Sequence, residues 1–244
     1  MNVKIKEINS HKYLEFEELK KYNINHAFVG KNGKITFKEI CDDLDFNYNK
    51  FCRIKKQSHT HYVETLQNKK KIYNKDALIT NKKNIPLVIK TSDCNSIIIF
   101  DPKKEVIANV HSGWRGTIKR ILINTIEEMK NIFDINYEDL IVCFFPSIRE
   151  CHFEVDEDVK EKFEKNFEDI NVKNYIKKGE IKYNKQKYLI DTTQINKELL
   201  LKLGVKKKNI YTTDYCTVCN NDLFYSYRKG EKKSNFTIIE MKGK

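Results

Sequence analysis

From residue 77 onward the chain repeats one pattern, a run of four or five apolar or β-branched residues followed by a short polar or turn-forming break. On this pattern Ala77 to Thr80, Pro86 to Lys90, Ser96 to Phe100 and Val106 to Val110 read as strands, and Leu140 to Phe145, Ile210 to Thr213 and Phe236 to Met241 repeat it further on. Three stretches carry the helical period instead. After the glycines at 113 and 116 a helix is predicted from Thr117, because Ile118, Ile121, Leu122, Thr125, Ile126 and Met129 recur at i, i+3, i+4 spacing and give one buried face. Asp156 to Phe167 predicts a charged, exposed helix. Thr192 to Leu203 predicts a third, with Ile195, Leu199, Leu200 and Leu203 on one side and Gly204 as its stop. Strands outnumber helices and are joined by short turns, so the expected class is α+β rather than a regular βαβ wind. Residues 1–56 and 168–187 carry no pattern strong enough to assign.

Composition narrows the setting. At 244 residues, with three prolines, eight glycines and no linker-like or repetitive segment, one domain spanning 1–244 is expected, large enough to bury a sizeable core. The opening "MNVKIKEINSHKYLEF" alternates polar with apolar residues, unlike a signal peptide. The longest apolar run, Leu140 to Phe145, is far short of the roughly 20 residues that span a bilayer. A soluble, cytoplasmic protein without a membrane partner is the expectation. Seven irregularly spaced cysteines do not form the framework of a small secreted domain, so reduced thiols or thiolate ligands are expected. The net charge of +12 comes from 41 lysines and only five arginines. Phosphate and base readout leans on the arginine fork, and no aromatic-and-arginine motif accompanies the charge, so a nucleic-acid partner ranks last.

The chemistry concentrates in "TSDCNSIIIFDPKKEVIANVHSGWRG", Thr91 to Gly116. A turn at Asp101-Pro102-Lys103-Lys104, centred between Pro102 and Lys103, would set Phe100 opposite Glu105, Ser96 opposite Asn109 and Cys94 opposite His111. Opposed residues have Cβ atoms about 4.5–5.5 Å apart. That separation lets a thiolate and an imidazole share one Zn²⁺. The alternative is a small buried cysteine and a satisfied core histidine. A catalytic zinc needs a third protein ligand and an open fourth position. His59 and His61 in "KQSHTHYVETL" read as an extended pair pointing the same way, and either would serve. In "HSGWRG", the two glycines permit a tight turn into the helix from Thr117, whose N-terminus favours an anion, with Arg115 at the turn. Trp114 reads as a core residue or a wall for a flat base. Cys216 and Cys219 form a CxxC with no second CxxC to complete a zinc ribbon, and read as structural thiols flanking a following strand.

"QSHTHYV", "DALIT", "TSDCNSIIIFDP", "VIANVHSGWRGT", "FFPSIRECHFEV" and "CTVCNNDLFYSYRKG" occur in an order that resembles the laccase-domain purine nucleoside phosphorylases, also named polyphenol oxidase-like proteins or peptidoglycan editing factors. The resemblance covers about residues 26–240, and "DC…HxGWRG" is its specific part. It implies a layered α/β/β/α arrangement of two packed mixed sheets with outer helices. It implies a metal site of His59, Cys94 and His111, deciding for His59 over His61, and substrate or phosphate contacts from Gln57, Arg115 and Arg228. It implies phosphorolysis of adenosine, inosine and methylthioadenosine, with adenosine deamination in some members; purine nucleosides and phosphate are the implied partners.

Several positions depart from the family pattern. Thr60 stands where the family has glycine, Ile148-Arg149-Glu150-Cys151-His152 where it has I-G-P-C-C, Lys229 where it has a second arginine, and "VGKNGK" where an arginine-bearing loop is expected. Lys31 is the candidate substitute for that arginine, and Cys151-His152 reads as structural. In this scheme the metal, Zn²⁺ with Cu²⁺ as the alternative, orients or activates phosphate or water, and Asp93 beside Cys94 is a candidate for supporting that ligand or for proton transfer. Two competing enzymes remain: a cysteine hydrolase editing peptidoglycan precursors, with Cys94 as nucleophile and His111 as base, and a copper-dependent polyphenol oxidase. The second is disfavoured because multi-copper centres are mainly histidine-ligated and the chain has six histidines.

Overall fold

In the computed structural model, which describes residues 3–9, 11–33, 35–66 and 72–243, the strongest apolar runs form a sheet buried on both faces. Its strands are β5 (Val63–Thr65), β6 (Ala77–Thr80), β8 (Asn95–Asp101), β9 (Val106–Ser112), β10 (Ile141–Phe144) and β14 (Ile210–Thr212). They lie in the order β14-β10-β8-β9-β6-β5. A second six-stranded sheet holds β1 (Val3–Ile8), β2 (His11–Phe16), β3 (Ile24–Val29), β4 (Cys52–Arg53), β7 (Leu87–Thr91) and β15 (Asn235–Met241), in the order β1-β2-β3-β15-β7-β4. Both sheets are mixed: β4 runs parallel to β7, β5 to β6 and β10 to β14, while the other pairs are antiparallel.

Side-chain alternation builds the layers. Ile98, Phe100 and Ile107 point into a core shared with Leu87, Ile89 and Ile239 of the other sheet. Their neighbours Ile97, Ile99, Val106 and Ala108 point the opposite way, onto Ile121, Leu122, Ile126, Met129 and Leu200 of helices α4 (Ile121–Phe133) and α6 (Thr192–Leu203). On the outer face of the second sheet, Ile40 and Cys41 of α2 (Phe37–Asp43) pack on Ala27, Val29, Val88 and Ile238. The result is the expected α+β arrangement with α/β/β/α layers. Each fully buried isoleucine contributes roughly 1.5–3 kcal/mol of transfer free energy, so register in the two central strands is strongly held. A small third sheet of β11 (Glu154–Val155), β12 (Ile176–Lys182) and β13 (Lys185–Ile190) packs with α5 (Glu157–Asn166) beside this sandwich.

Four expectations need correction. The central hairpin pairs Asp101 with Val106, Ser96 with His111 and Asn95 with Ser112, because its loop is longer than a two-residue turn. The Asp101 carboxylate accepts the N–H groups of Lys103 and Lys104, and Glu105 closes the loop with φ 49°. This shift by two residues keeps parity, so Cys94 stays on the face of His111 but lies just outside β8. The helix expected from Thr117 is two: α3 (Trp114–Ile118), capped by Gly113, and α4, separated by Arg120 at φ 58°. The anion-binding terminus drawn at Thr117 is therefore a single short turn beginning at Trp114. His59 is not on an extended segment; its φ is 54°. No strand directly follows Cys219, since residues 217–224 form turns and a bend.

Candidate metal and substrate site

The site stands at the open end of the layer between the two large sheets, where β8 begins and β9 ends. Asp76, which immediately precedes β6, organises it. Its backbone carbonyl accepts the His111 N–H at 2.8 Å, and its fully buried carboxylate accepts from Ser58 N, His59 N, Thr60 N and Thr60 Oγ1 at 2.6–3.4 Å. These bonds wrap residues 58–60 around the carboxylate, which accounts for the left-handed backbone at His59 and for its ring being turned inward. The same carboxylate accepts from His111 Nδ1 at 2.7 Å. A carboxylate only accepts, so Nδ1 carries a proton and Nε2 is the ring nitrogen left to face the cluster.

His59, Cys94 and His111 therefore converge, with their ligand atoms all within 4.8 Å of one another. His59 Nε2 lies 3.8 Å from Cys94 Sγ, and the two imidazoles meet edge to face at 4.8 Å between centroids. His61 is exposed and lies against Tyr62. Burial pushes the Cys94 thiol up, but attraction and hydrogen bonding from His111, and then from His59, outweigh it and bring its pKa down to about 6. Burial likewise opposes charge on His111, but the Cys94 and Asp76 charges raise it to about 9. The pair is a thiolate and an imidazolium held by mutual attraction.

The donor set fits a divalent metal: a thiolate already ionised at neutral pH, two imidazoles, and a carboxylate behind one of them fixing its tautomer. Gly113 is part of this fit, because a Cβ there would lie 2.7 Å from His59 Cδ2 and 2.9 Å from Cys94 Sγ. Asp76→Asn is expected to weaken metal affinity by about 10–100-fold, measured by competition with a chromophoric chelator; unchanged affinity would show that the carboxylate does not orient His111.

The cluster opens into a cavity of about 820 Å³, in the range of small-molecule sites. Its lining includes the expected Gln57, Asp93, Arg115 and Arg228, with Trp114, Lys90 and Tyr227. Arg115 is exposed and stacks on Trp114 at 4.1 Å. Arg228 is held at the rim by bonds to the His152 and Glu154 carbonyls. Gln57 is bonded in both directions to the Lys90 backbone, extending the edge of β7. Asp93 has both carboxylate oxygens engaged, by Thr217 Oγ1 at 2.6 Å and Arg228 N at 2.7 Å, a positioning arrangement that ties the 217–228 loop to Cys94. Lys31 does not replace the expected loop arginine, since its ammonium is committed to Asn221 O and Glu231. Asp76 and Lys90 escaped the sequence reading; the available signal for Asp76 was a charged residue immediately before the fully apolar start of β6.

A two-sheet sandwich with a His/Cys/His cluster at its open end and a basic, aromatic cavity above it defines a laccase-like domain. The family model described as "Multi-copper polyphenol oxidoreductase laccase" matches residues 25–238, and the chain belongs to that family. A protein of Bacteroides thetaiotaomicron named purine nucleoside phosphorylase is 35% identical over 163 residues, 67% of this chain. The match spans 58% of that relative's length. Purine nucleoside phosphorylase SA1030 of Staphylococcus aureus is 32% identical over 209 residues, 85% of this chain and 74% of its own. The fold is that of the solved Bacillus licheniformis hypothetical protein YfiH, with a TM-score of 0.85, 20% identity and coverage of 96% and 98% of the two chains. Geobacillus stearothermophilus YlmD gives 0.84 at 19% identity, covering 98% and 99%.

Proposed function

We propose that this chain is a zinc-dependent purine nucleoside phosphorylase acting on adenosine, inosine and methylthioadenosine, with hydrolytic adenosine deamination as a side activity of the same site. The observation that carries this reading is the His59–Cys94–His111 cluster facing a cavity whose rim bears Lys90, Arg115 and Arg228. Relatives named for this activity support it. Arg115 and Arg228 hold the phosphate dianion, Trp114 and Tyr227 offer flat faces to the purine, and Asp93 and Asp76 keep Cys94 and His111 in place. Zn²⁺ bound by the three residues supplies a Lewis acid for the oxygen nucleophile. Copper fits less well. Among the described residues only two imidazoles converge with Cys94, whereas multi-copper centres are mainly histidine-ligated.

The test is incubation of the protein with adenosine, with and without phosphate, and identification of the products. Adenine and ribose 1-phosphate formed only with phosphate are expected, and inosine would reveal deamination. Unchanged adenosine under both conditions would reject the reading.

The Cys94 thiolate beside His111 favours one second reading, the cysteine hydrolase. The two readings separate in metal-free protein. Because the Cys94 pKa is depressed, the thiolate is present above about pH 6 and lost below it. Alkylation by iodoacetamide should therefore rise through about pH 6, well below an ordinary thiol, and be suppressed by Zn²⁺. A hydrolase would keep its activity without metal and lose it on alkylation; the phosphorylase reading requires activity to be absent before any alkylation.

A further inference from the structure

A second ligand cluster lies on the far side of the cavity wall, and nothing in the proposed reaction uses it. Cys151 and His152 come from the turn between β10 and β11, Cys216 and Cys219 from a separate turn. A parallel bridge between Ser147 and Cys216 sets the two segments side by side, and Asn220 N bonded to Cys216 O curls the CxxC into a loop. The four ligand atoms all lie within 4.8 Å of one another. His152 Nδ1 is 3.2 Å from Cys151 Sγ, 3.4 Å from Cys219 Sγ and 3.8 Å from Cys216 Sγ, and the Cys151 and Cys219 sulfurs are 3.7 Å apart.

We propose that Cys151, His152, Cys216 and Cys219 form a second, structural zinc site of the Cys₃His type, closed to substrate and stapling two loops of the cavity wall. Tetrahedral zinc with bonds of about 2.3 Å to sulfur and 2.0–2.1 Å to nitrogen separates its ligand atoms by roughly 3.6–3.8 Å. The four separations above bracket that spacing. A disulfide bond would bring two sulfurs to about 2.05 Å and leave the third thiol and the imidazole without a role. The half of a ribbon that a lone CxxC lacks is supplied by a Cys-His dipeptide from another loop.

The consequence reaches the cavity. The His152 carbonyl accepts from Arg228, Thr217 between the two CxxC cysteines donates to Asp93, and Phe153 and Ile148 line the pocket. Four ligands and no open position mark the staple as structural.

The test is zinc content and zinc-edge X-ray absorption on protein purified anaerobically with reductant from zinc-supplemented cells. Wild type should hold two Zn²⁺ per chain, with two sulfurs per zinc on average; Cys94→Ala should keep one, with three sulfurs, and Cys219→Ser one, with a single sulfur, as the two ligand sets require. One zinc per chain in wild type that survives Cys219→Ser would overturn the proposal, as would a Cys151–Cys219 disulfide in the reduced preparation. Should Cys219→Ser fail to fold, the sulfur number of Cys94→Ala decides alone, since it leaves the second cluster untouched.

Discussion

Cys94→Ala is expected to lose one bound metal ion per chain and to lower phosphorolysis by about a thousandfold or more, while the protein remains folded. The magnitude follows from removing a Lewis acid that contributes several kcal/mol to transition-state stabilisation. Folding should survive because the partly buried Cys94 precedes β8 and belongs to none of the hydrophobic clusters that hold the sheets together. The alanine also removes the anion that holds His111 charged. With the thiolate gone, burial should lower the pKa of His111, although Asp76 still favours its charged form. Metal content and kcat/KM on the same preparation check this prediction; full activity with reduced metal would separate the cluster from the chemistry.

Gly113→Ala should do nearly as much harm by a different route. The backbone at Gly113 has φ −71° and ψ 171°, which alanine adopts freely, so no fold penalty arises from conformation. The added methyl instead meets the His59 ring and the Cys94 sulfur at under 3 Å. Both are held from behind, His59 by its backbone bond to Asp76 and Cys94 by its neighbour Asp93. Ligand atoms displaced by even about 1 Å cost on the order of a hundredfold in rate. We expect kcat/KM to fall by about that factor, with metal affinity reduced and thermal stability little changed. An active, metal-replete Gly113→Ala protein would mean the cluster tolerates rearrangement.

The elements readable in the sequence were those buried on both faces. β6, β8, β9 and β10 carry mostly apolar runs because they lie between a sheet and helices, and the buried face of α4 matches its period residue for residue. The unassigned segments are mostly edge structures; an exception is β3, an interior strand paired with β2 and β15, whose apolar run is interrupted by Asn25 and His26. β12 and β13 meet through Tyr183 and Asn184, both with positive φ, in a hairpin whose outer strand is lysine-rich and exposed. Its turn signal lacked the usual glycine. In the first 56 residues, Thr36 and Glu39 form a capping box that starts α2, a signal in "TFKE" that carried too short a helix to stand out. The cluster was legible because strand parity survives a two-residue register error. The turn at His59 and the role of Asp76 depend on a carboxylate gathering backbone groups from a loop far away in sequence, which no local pattern encodes.

The most direct test measures phosphate-dependent cleavage of adenosine by one preparation before zinc removal, after it, and after Zn²⁺ is returned. Adenine release should vanish with the metal and come back with it. Undiminished release from protein verified to be free of metal would contradict the assignment of His59, Cys94 and His111 as the centre on which the reaction depends.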